Sequence, residues 1–170
     1  MIMKKIFYFF LLLLLCCAFT SCKSKKQPPI DLSGSAAKSN VVEVEYQELG
    51  GDKTIPVKLN GVTMDMIFDT GCSGMLMSLA ELQVLYKNGK IEESDILGTS
   101  LSQIADGSVV KNGVIMLREV EIAKGLTLYN VEASVALNQT APMLLGNGVL
   151  DELASYEIDN VTHTIRFKLK

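Results

Sequence analysis

The chain has 170 residues, 48% of them apolar, with 16 Lys and Arg against 19 Asp and Glu, a length that suits one domain. Without residues 1–21, which carry Lys4 and Lys5, 14 basic and 19 acidic side chains remain; a domain of net charge −5 with no basic cluster beyond residue 26 is a poor nucleic-acid binder. Cys16, Cys17 and Cys22 lie in or at the end of the N-terminal apolar run, which leaves Cys72 as the one thiol of the body and His163 as the one histidine; a disulfide scaffold, a cysteine zinc site and a His-rich metal site are excluded, and no cofactor is expected.

In chain order, a short basic start at Lys4 and Lys5 precedes an unbroken apolar run, Ile6 to Phe19. As a helix this run spans roughly 21 Å, short of the ~30 Å hydrocarbon core, so it reads as a secretory signal over residues 1–21 and not as a membrane span. Phe19-Thr20-Ser21-Cys22 resembles a bacterial lipobox, which implies lipidation of Cys22. Phe19 stands where an aliphatic residue is usual, and a plain signal peptide with an incidental cysteine is the alternative. Residues 22–40 are rich in Ser, Lys and Pro without periodicity and read as a flexible tether. Its 18 residues after Cys22 reach about 60 Å at most. An exported domain, 41–170, is thus expected on a lipid anchor at a bacterial envelope membrane, on the periplasmic or surface side. Lys23, Lys25 and Lys26 would lie against anionic headgroups.

Val41 to Tyr46 alternates apolar and polar, the mark of a half-buried strand. Ile55–Leu59 and Val62–Phe68 flank Asn60-Gly61, a strong hairpin signal. After the turn-rich Asp69–Gly74, Met75–Met77 is another short strand. Ser78 with Glu81 forms a capping box for one helix, with Leu79, Leu82, Val84, Leu85 and Tyr86 as its apolar face and Asn88-Gly89 as its stop. Residues 90–100 read as a loop or a second short turn in which Glu92, Glu93 and Asp95 are solvated. Strands resume at Leu101–Ala105, then turn at Asp106-Gly107-Ser108. Val109–Val110 and Val114–Ile122 follow, separated by Asn112-Gly113. Leu126–Leu137, a buried Met143–Gly146, a helical turn or two within 149–154, and a hairpin of Tyr156–Ile158 with Thr164–Phe167 complete the chain. Many short strands with frequent turns predict an all-β barrel-like domain with one or two short helices. The methionines at 64, 66, 75, 77, 116 and 143 are expected to fill the core.

The most informative chemistry lies at Ile67-Phe68-Asp69-Thr70-Gly71-Cys72-Ser73. A buried strand running into Asp-Thr-Gly places a carboxylate where strand meets tight turn. Gly71 permits close backbone approach, and its N–H can bond the carboxylate; Thr70 offers a hydroxyl that can fix a neighbouring loop. Asp-Thr-Gly is also ordinary turn chemistry, so the motif alone decides nothing. The longer stretch from Val57 to Ser78 resembles the active-site region of retropepsin-like aspartic peptidases. Leu144-Leu145-Gly146 resembles that family's second signature, a strand that threads beside the catalytic loop; Asn147–Leu153 resembles the short helix that follows it, and Tyr156–Asn160 with Thr164–Phe167 resemble the closing hairpin of its bacterial members. Cys72 replaces the more usual Ala, and Gly74 follows Ser73; small residues suit both places.

The resemblance implies an all-β retropepsin-like barrel with Asp69 catalytic, Thr70, Gly71 and Ser73 supporting the loop, and Asp106, Gly107 and Ser108 in a flap over substrate. It also implies a second aspartate, because the chemistry needs one carboxylate to take a proton from water and another to protonate the carbonyl oxygen. The chain holds one Asp-Thr-Gly, Asp65 most simply faces solvent and Asp106 sits in the flap, so the resemblance implies a homodimer acting on protein or peptide. The alternatives are a peptide-binding module of the same fold without activity and a structural envelope lipoprotein. Pairing of Cys72 with His163 for nucleophilic catalysis is disfavoured, since His163 falls in a hairpin turn; a small buried thiol is the simpler reading.

Overall fold

The structure, a computed structural model, describes residues 40–170. The N-terminal apolar run, Cys22 and the tether up to residue 39 lie outside the described residues. Eleven strands and two short α-helices, with one 3₁₀ turn at Glu93–Asp95, are present among those described. In chain order they are β1 (Val41–Glu45), β2 (Gln47–Leu49), β3 (Asp52–Leu59), β4 (Val62–Phe68), β5 (Met75–Ser78), α1 (Leu79–Lys87), β6 (Ile96–Gln103), β7 (Val109–Ala123), β8 (Leu126–Ala136), β9 (Leu144–Leu145), α2 (Asn147–Leu150), β10 (Ser155–Asp159) and β11 (Thr164–Lys168).

Eight strands form one sheet in the order β2-β3-β4-β9-β5-β8-β7-β6. It curls until β3 meets β7, with Lys58 opposite Glu121 and Leu59 opposite Val120, and this pairing closes a barrel. Period-2 alternation explains the curl's inside: Ile55, Val57 and Leu59 of β3 and Ile115, Leu117, Val120 and Ile122 of β7 are almost fully buried. A second sheet, β1-β11-β10, is antiparallel throughout and buries Val42, Val44, Ile165 and Phe167 against the barrel. Its contact reaches the end of β4, where the Phe68 ring lies 5.1 Å from Tyr156 in an edge-on arrangement and 6.2 Å from Phe167.

The β3–β4 turn forms at Asn60-Gly61, both with positive φ. Asn60 also ties the barrel seam, since its N–H donates to Glu119 O at 2.8 Å and its Oδ1 accepts from Glu119 N–H at 2.9 Å. The helix α1 starts at Ser78, whose Oγ accepts from the Ala80 N–H at 3.1 Å. Glu81 takes the Ser78 hydroxyl itself rather than a backbone N–H, so the predicted box closes side chain to side chain. Leu82 and Leu85 anchor α1, each contributing about 1.5–3 kcal/mol by burial. Val84 and Tyr86 are exposed, so the apolar face is narrower than the sequence suggests.

Three further expectations change, and one strand has no counterpart among the elements expected from the sequence. Residues 96–100 are strand, not loop, because β6 finds β7 as a partner from Ile96 onward. Asn112-Gly113 does not turn: it lies buried inside β7, bonded to β6 on one side and β8 on the other, and two ladders outweigh local turn preference. Asp95 is 8% exposed rather than solvated; its carboxylate accepts from the Glu92 N–H at 2.8 Å and faces Arg118 at 3.5 Å. The strand β2, folded onto β3 through Gly50-Gly51, carries three exposed residues and so no periodic signal. Of the methionines, 66, 75, 77 and 143 are buried, while 64 and 116 are partly so.

Candidate active site

The end of β4 is built by a strand crossing. Over Ile67 and Phe68, β4 runs parallel to β9, which in turn pairs antiparallel with β5 through Met75 and Leu76. The two-residue β9 therefore lies between the strands that enter and leave the Asp69–Gly74 loop. Ile67 N–H donates to Met143 O at 2.8 Å and Asp69 N–H to Leu145 O at 3.0 Å, so the ladder extends one residue past β4 and fixes the backbone of Asp69. Leu145 is fully buried. An aliphatic pair is needed there because β9 has a neighbouring strand on either side and core beneath it.

Gly146 is required by space. A Cβ on it would lie 2.3 Å from Gly74 O and 2.4 Å from Cys72 O. With no side chain, the chain passes close enough for Asn147 N–H to reach Cys72 O at 2.8 Å and Gly148 N–H to reach Ser73 O at 2.9 Å. Within the loop, Gly71 N–H donates to Asp69 Oδ1 at 2.8 Å, Cys72 N–H to Asp69 O at 3.2 Å, and the Cys72 thiol to Gly74 O at 3.2 Å. Asp69 is half-buried; Thr70, Gly71 and Ser73 are exposed. Thr70 enters this network through its carbonyl, which accepts from Asn147 Nδ2 at 2.8 Å. Among the described residues its hydroxyl has no partner, so the fixing role expected of that hydroxyl is not exercised within the chain.

The β6–β7 hairpin carries Asp106, Gly107 and Ser108 at its exposed tip. Gly107 has φ of +85° and its N–H bonds Ile104 O at 2.8 Å, while Ser108 N–H bonds Asp106 Oδ1 at 2.8 Å. The hydroxyl and backbone of Ser108 hold the Asp106 carboxyl below the usual carboxylate range. Leu101, Ile104 and Val109 leave an apolar flank near this tip. A cavity of about 350 Å³ opens beside the loop; Ser73 and Gly74 form one wall, Ser100 of β6 and Val114 of β7 another, with Glu132 of β8 and Gly148 of α2 behind. Asp69 and the hairpin tip are not among its wall residues.

The structure thus joins Asp69, Thr70, Gly71 and Ser73 to Leu144, Leu145 and Gly146 in one hydrogen-bonded unit, although 75 residues separate Asp69 from Leu144. It brings the stem of the β6–β7 hairpin to the same cavity as the loop, and leaves Asp106, Gly107 and Ser108 outside the bonded unit. Sequence reasoning missed Asn147 as part of the site; its only signal was an amide side chain directly after an aliphatic-aliphatic-Gly run. Asp65 is exposed on β4 and roughly 13 Å along the strand from Asp69. His163 belongs to the β10–β11 turn, its ring 5.3 Å from that of Tyr46.

No curated protein matches the sequence. Among solved structures, a retropepsin-like aspartic protease from Rickettsia conorii is similar in fold, with a TM-score of 0.54 and 22% identity over 76% of this chain and 91% of that one. The model of one protein family, described as gag-polyprotein putative aspartyl protease, matches residues 55–152, from the middle of β3 past α2. That match takes in the Asp69 loop, the β6–β7 hairpin and Gly146, and it spans more than half of the sequence, so the chain belongs to the gag-polyprotein aspartyl protease family and has a retropepsin-like fold.

Proposed function

We propose that this protein is an exported, lipid-anchored aspartic endopeptidase that hydrolyses peptide bonds with an Asp69 pair formed by two copies of the chain. The observation that carries the reading is the Asp69 loop: its carboxylate is half-buried and held by the Gly71 N–H, its backbone is fixed by β9, and its Ser73-Gly74 end lines a cavity that the stem of the β6–β7 hairpin also walls. Pairing is supported by what one copy lacks. Asp65 lies too far along β4, and Asp106 is turned onto Ser108, so neither supplies a second carboxylate to Asp69. The unpartnered, exposed Thr70 hydroxyl suits contact with the same loop of another copy.

In the pair, two neighbouring carboxylates share one proton, since like charges about 3 Å apart do not both ionise. The ionised Asp69 takes a proton from a water held between them, and that water attacks the substrate carbonyl carbon. The protonated Asp69 gives its proton to the carbonyl oxygen, and the tetrahedral intermediate then collapses with proton transfer to the leaving amine. The β6–β7 hairpin closes over the substrate and excludes water, its apolar flank facing an extended chain. Anchoring at Cys22 confines the chains to a surface and raises their effective concentration, which favours pairing.

The test is a tandem in which two copies of the domain are linked in one polypeptide. It is expected to cleave unfolded protein with a bell-shaped, acidic pH profile, and Asp69→Asn in one copy is expected to remove most of that activity. Full activity with one Asp69 replaced refutes the shared pair. A tandem that binds extended peptides but cleaves none establishes the peptide-binding reading instead.

A further inference from the structure

Most of the bonds that hold the Asp69–Gly74 loop from outside are backbone to backbone, and beyond the bare Gly146 that lets the chains approach they ask for no particular side chain. Those from Asp69 N–H to Leu145 O, from Asn147 N–H to Cys72 O and from Gly148 N–H to Ser73 O are of this kind. One bond depends on side-chain identity: Asn147 Nδ2 donates to Thr70 O at 2.8 Å. The acceptor is a carbonyl, so only the NH₂ end of the amide fits there. That carbonyl belongs to the peptide joining Thr70 to Gly71. The N–H at the other end of the same peptide donates to Asp69 Oδ1 at 2.8 Å.

A trans peptide is a rigid plane, with its C=O and N–H pointing opposite ways. To hold the carbonyl is therefore to aim the N–H. The flanking residue most able to let that plane swing is Gly71, which is exposed and has no side chain to pack. Hydrogen bonds in series also polarise one another, by about 10–30% per bond. We propose that Asn147 is a positioning residue for Asp69, its side-chain amide setting the Thr70–Gly71 peptide so that the Gly71 N–H grips the Asp69 carboxylate in a fixed direction.

A purely structural role for the side chain has little support. The helix α2 has Gly146 at its cap and no side-chain capping bond, and the Asn147 backbone N–H already serves Cys72. The catalytic consequence rests on the peptidase reading above; the relay itself rests only on geometry.

Two variants of the whole chain test it, Asn147→Leu and Asn147→Asp. In Asn147→Leu the Gly71 amide proton is expected to move upfield and exchange faster, with the unfolding midpoint nearly unchanged. Its kcat is expected to fall about ten-fold, the upper range for one lost hydrogen bond, with KM within about two-fold. Asn147→Asp keeps the shape but loses the donor at neutral pH, and regains it as the carboxyl protonates near pH 4. Its activity relative to wild type is therefore expected to rise on acidification, while that of Asn147→Leu stays flat. A Gly71 amide unmoved in both variants overturns the proposal, as does wild-type kcat in Asn147→Leu. If the wild-type chain cleaves nothing, the peptidase reading fails, and the Gly71 amide still decides the relay by moving or staying.

Discussion

Replacing Gly146 by Ala adds one methyl group at the tightest crossing in the described chain. Gly146 has φ of −110° and ψ of −170°, extended backbone that any residue adopts, so conformational strain does not enter. The added Cβ would sit 2.3 Å from Gly74 O, 2.4 Å from Cys72 O and 2.9 Å from the Cys72 carbonyl carbon, all backbone atoms that cannot rotate away. Relief requires β9 and α2 to move off the Asp69 loop. Such overpacking costs about 1–3 kcal/mol, and the bonds from Asn147 N–H and Gly148 N–H to the loop, lost together, add about 0.5–1.5 kcal/mol each. The total, about 2–6 kcal/mol, is a large part of the ~5–15 kcal/mol that stabilises a typical domain. In thermal unfolding followed by circular dichroism it corresponds to a fall on the order of 5–25 °C. Gly148→Ala is the control: its Cβ meets Ser73 O at 3.2 Å and Gly74 Cα at 3.3 Å, which a shift of a few tenths of an ångström relieves. A Gly146→Ala midpoint within about 3 °C of wild type, or one equal to that of Gly148→Ala, refutes the close-crossing argument.

Gly107→Val forces a β-branched residue to φ of +85° at an open hairpin tip, a local strain of about 1–3 kcal/mol. It is expected to slow turnover while the main unfolding transition stays put; unchanged kinetics would dissociate the tip from turnover. Asp106 titrates below its ordinary value, so its contribution to the tip is present above the unfolded pKa of about 3.9 and is lost as pH falls through the lowered native value. Carbon-detected titration of Ser108→Ala, which removes the hydroxyl and keeps the backbone N–H, is expected to show the Asp106 midpoint moving part of the way up toward the ordinary value, and an unmoved midpoint would remove the Ser108 hydroxyl as a cause. Cys22→Ala is expected to yield soluble protein or unprocessed precursor, and mass spectrometry that finds an unmodified N-terminus elsewhere in the wild type would refute lipidation.

Where local pattern and tertiary demand agree, the sequence is legible. Alternation over Val62–Phe68, the Asn60-Gly61 turn and the Ser78 cap each report a structure whose causes are a few residues long. The Asp69-Thr70-Gly71 turn and the Leu144-Leu145-Gly146 run are visible in the same way, as short strings beside predicted strands.

The sequence fails where partners distant in the chain set the outcome. Asn112-Gly113 has every local mark of a turn, yet ladders on both sides keep it straight. Asp95 looks solvated until Arg118, on β7, is laid beside it. By itself the sequence pointed to the class of the fold through period and turn chemistry, and the resemblance of the stretch around Asp69 to retropepsin-like aspartic peptidases singled out the candidate carboxylate. The resemblance already implied that the Leu144-Leu145 strand threads beside the Asp69 loop; only the tertiary structure decided that β9 pairs with both β4 and β5, that Gly146 is there to let two backbones pass, and that Asn147 reaches the Thr70 carbonyl. Those contacts join segments 68 to 77 residues apart, and no periodicity along a chain encodes which carbonyl a distant amide will meet.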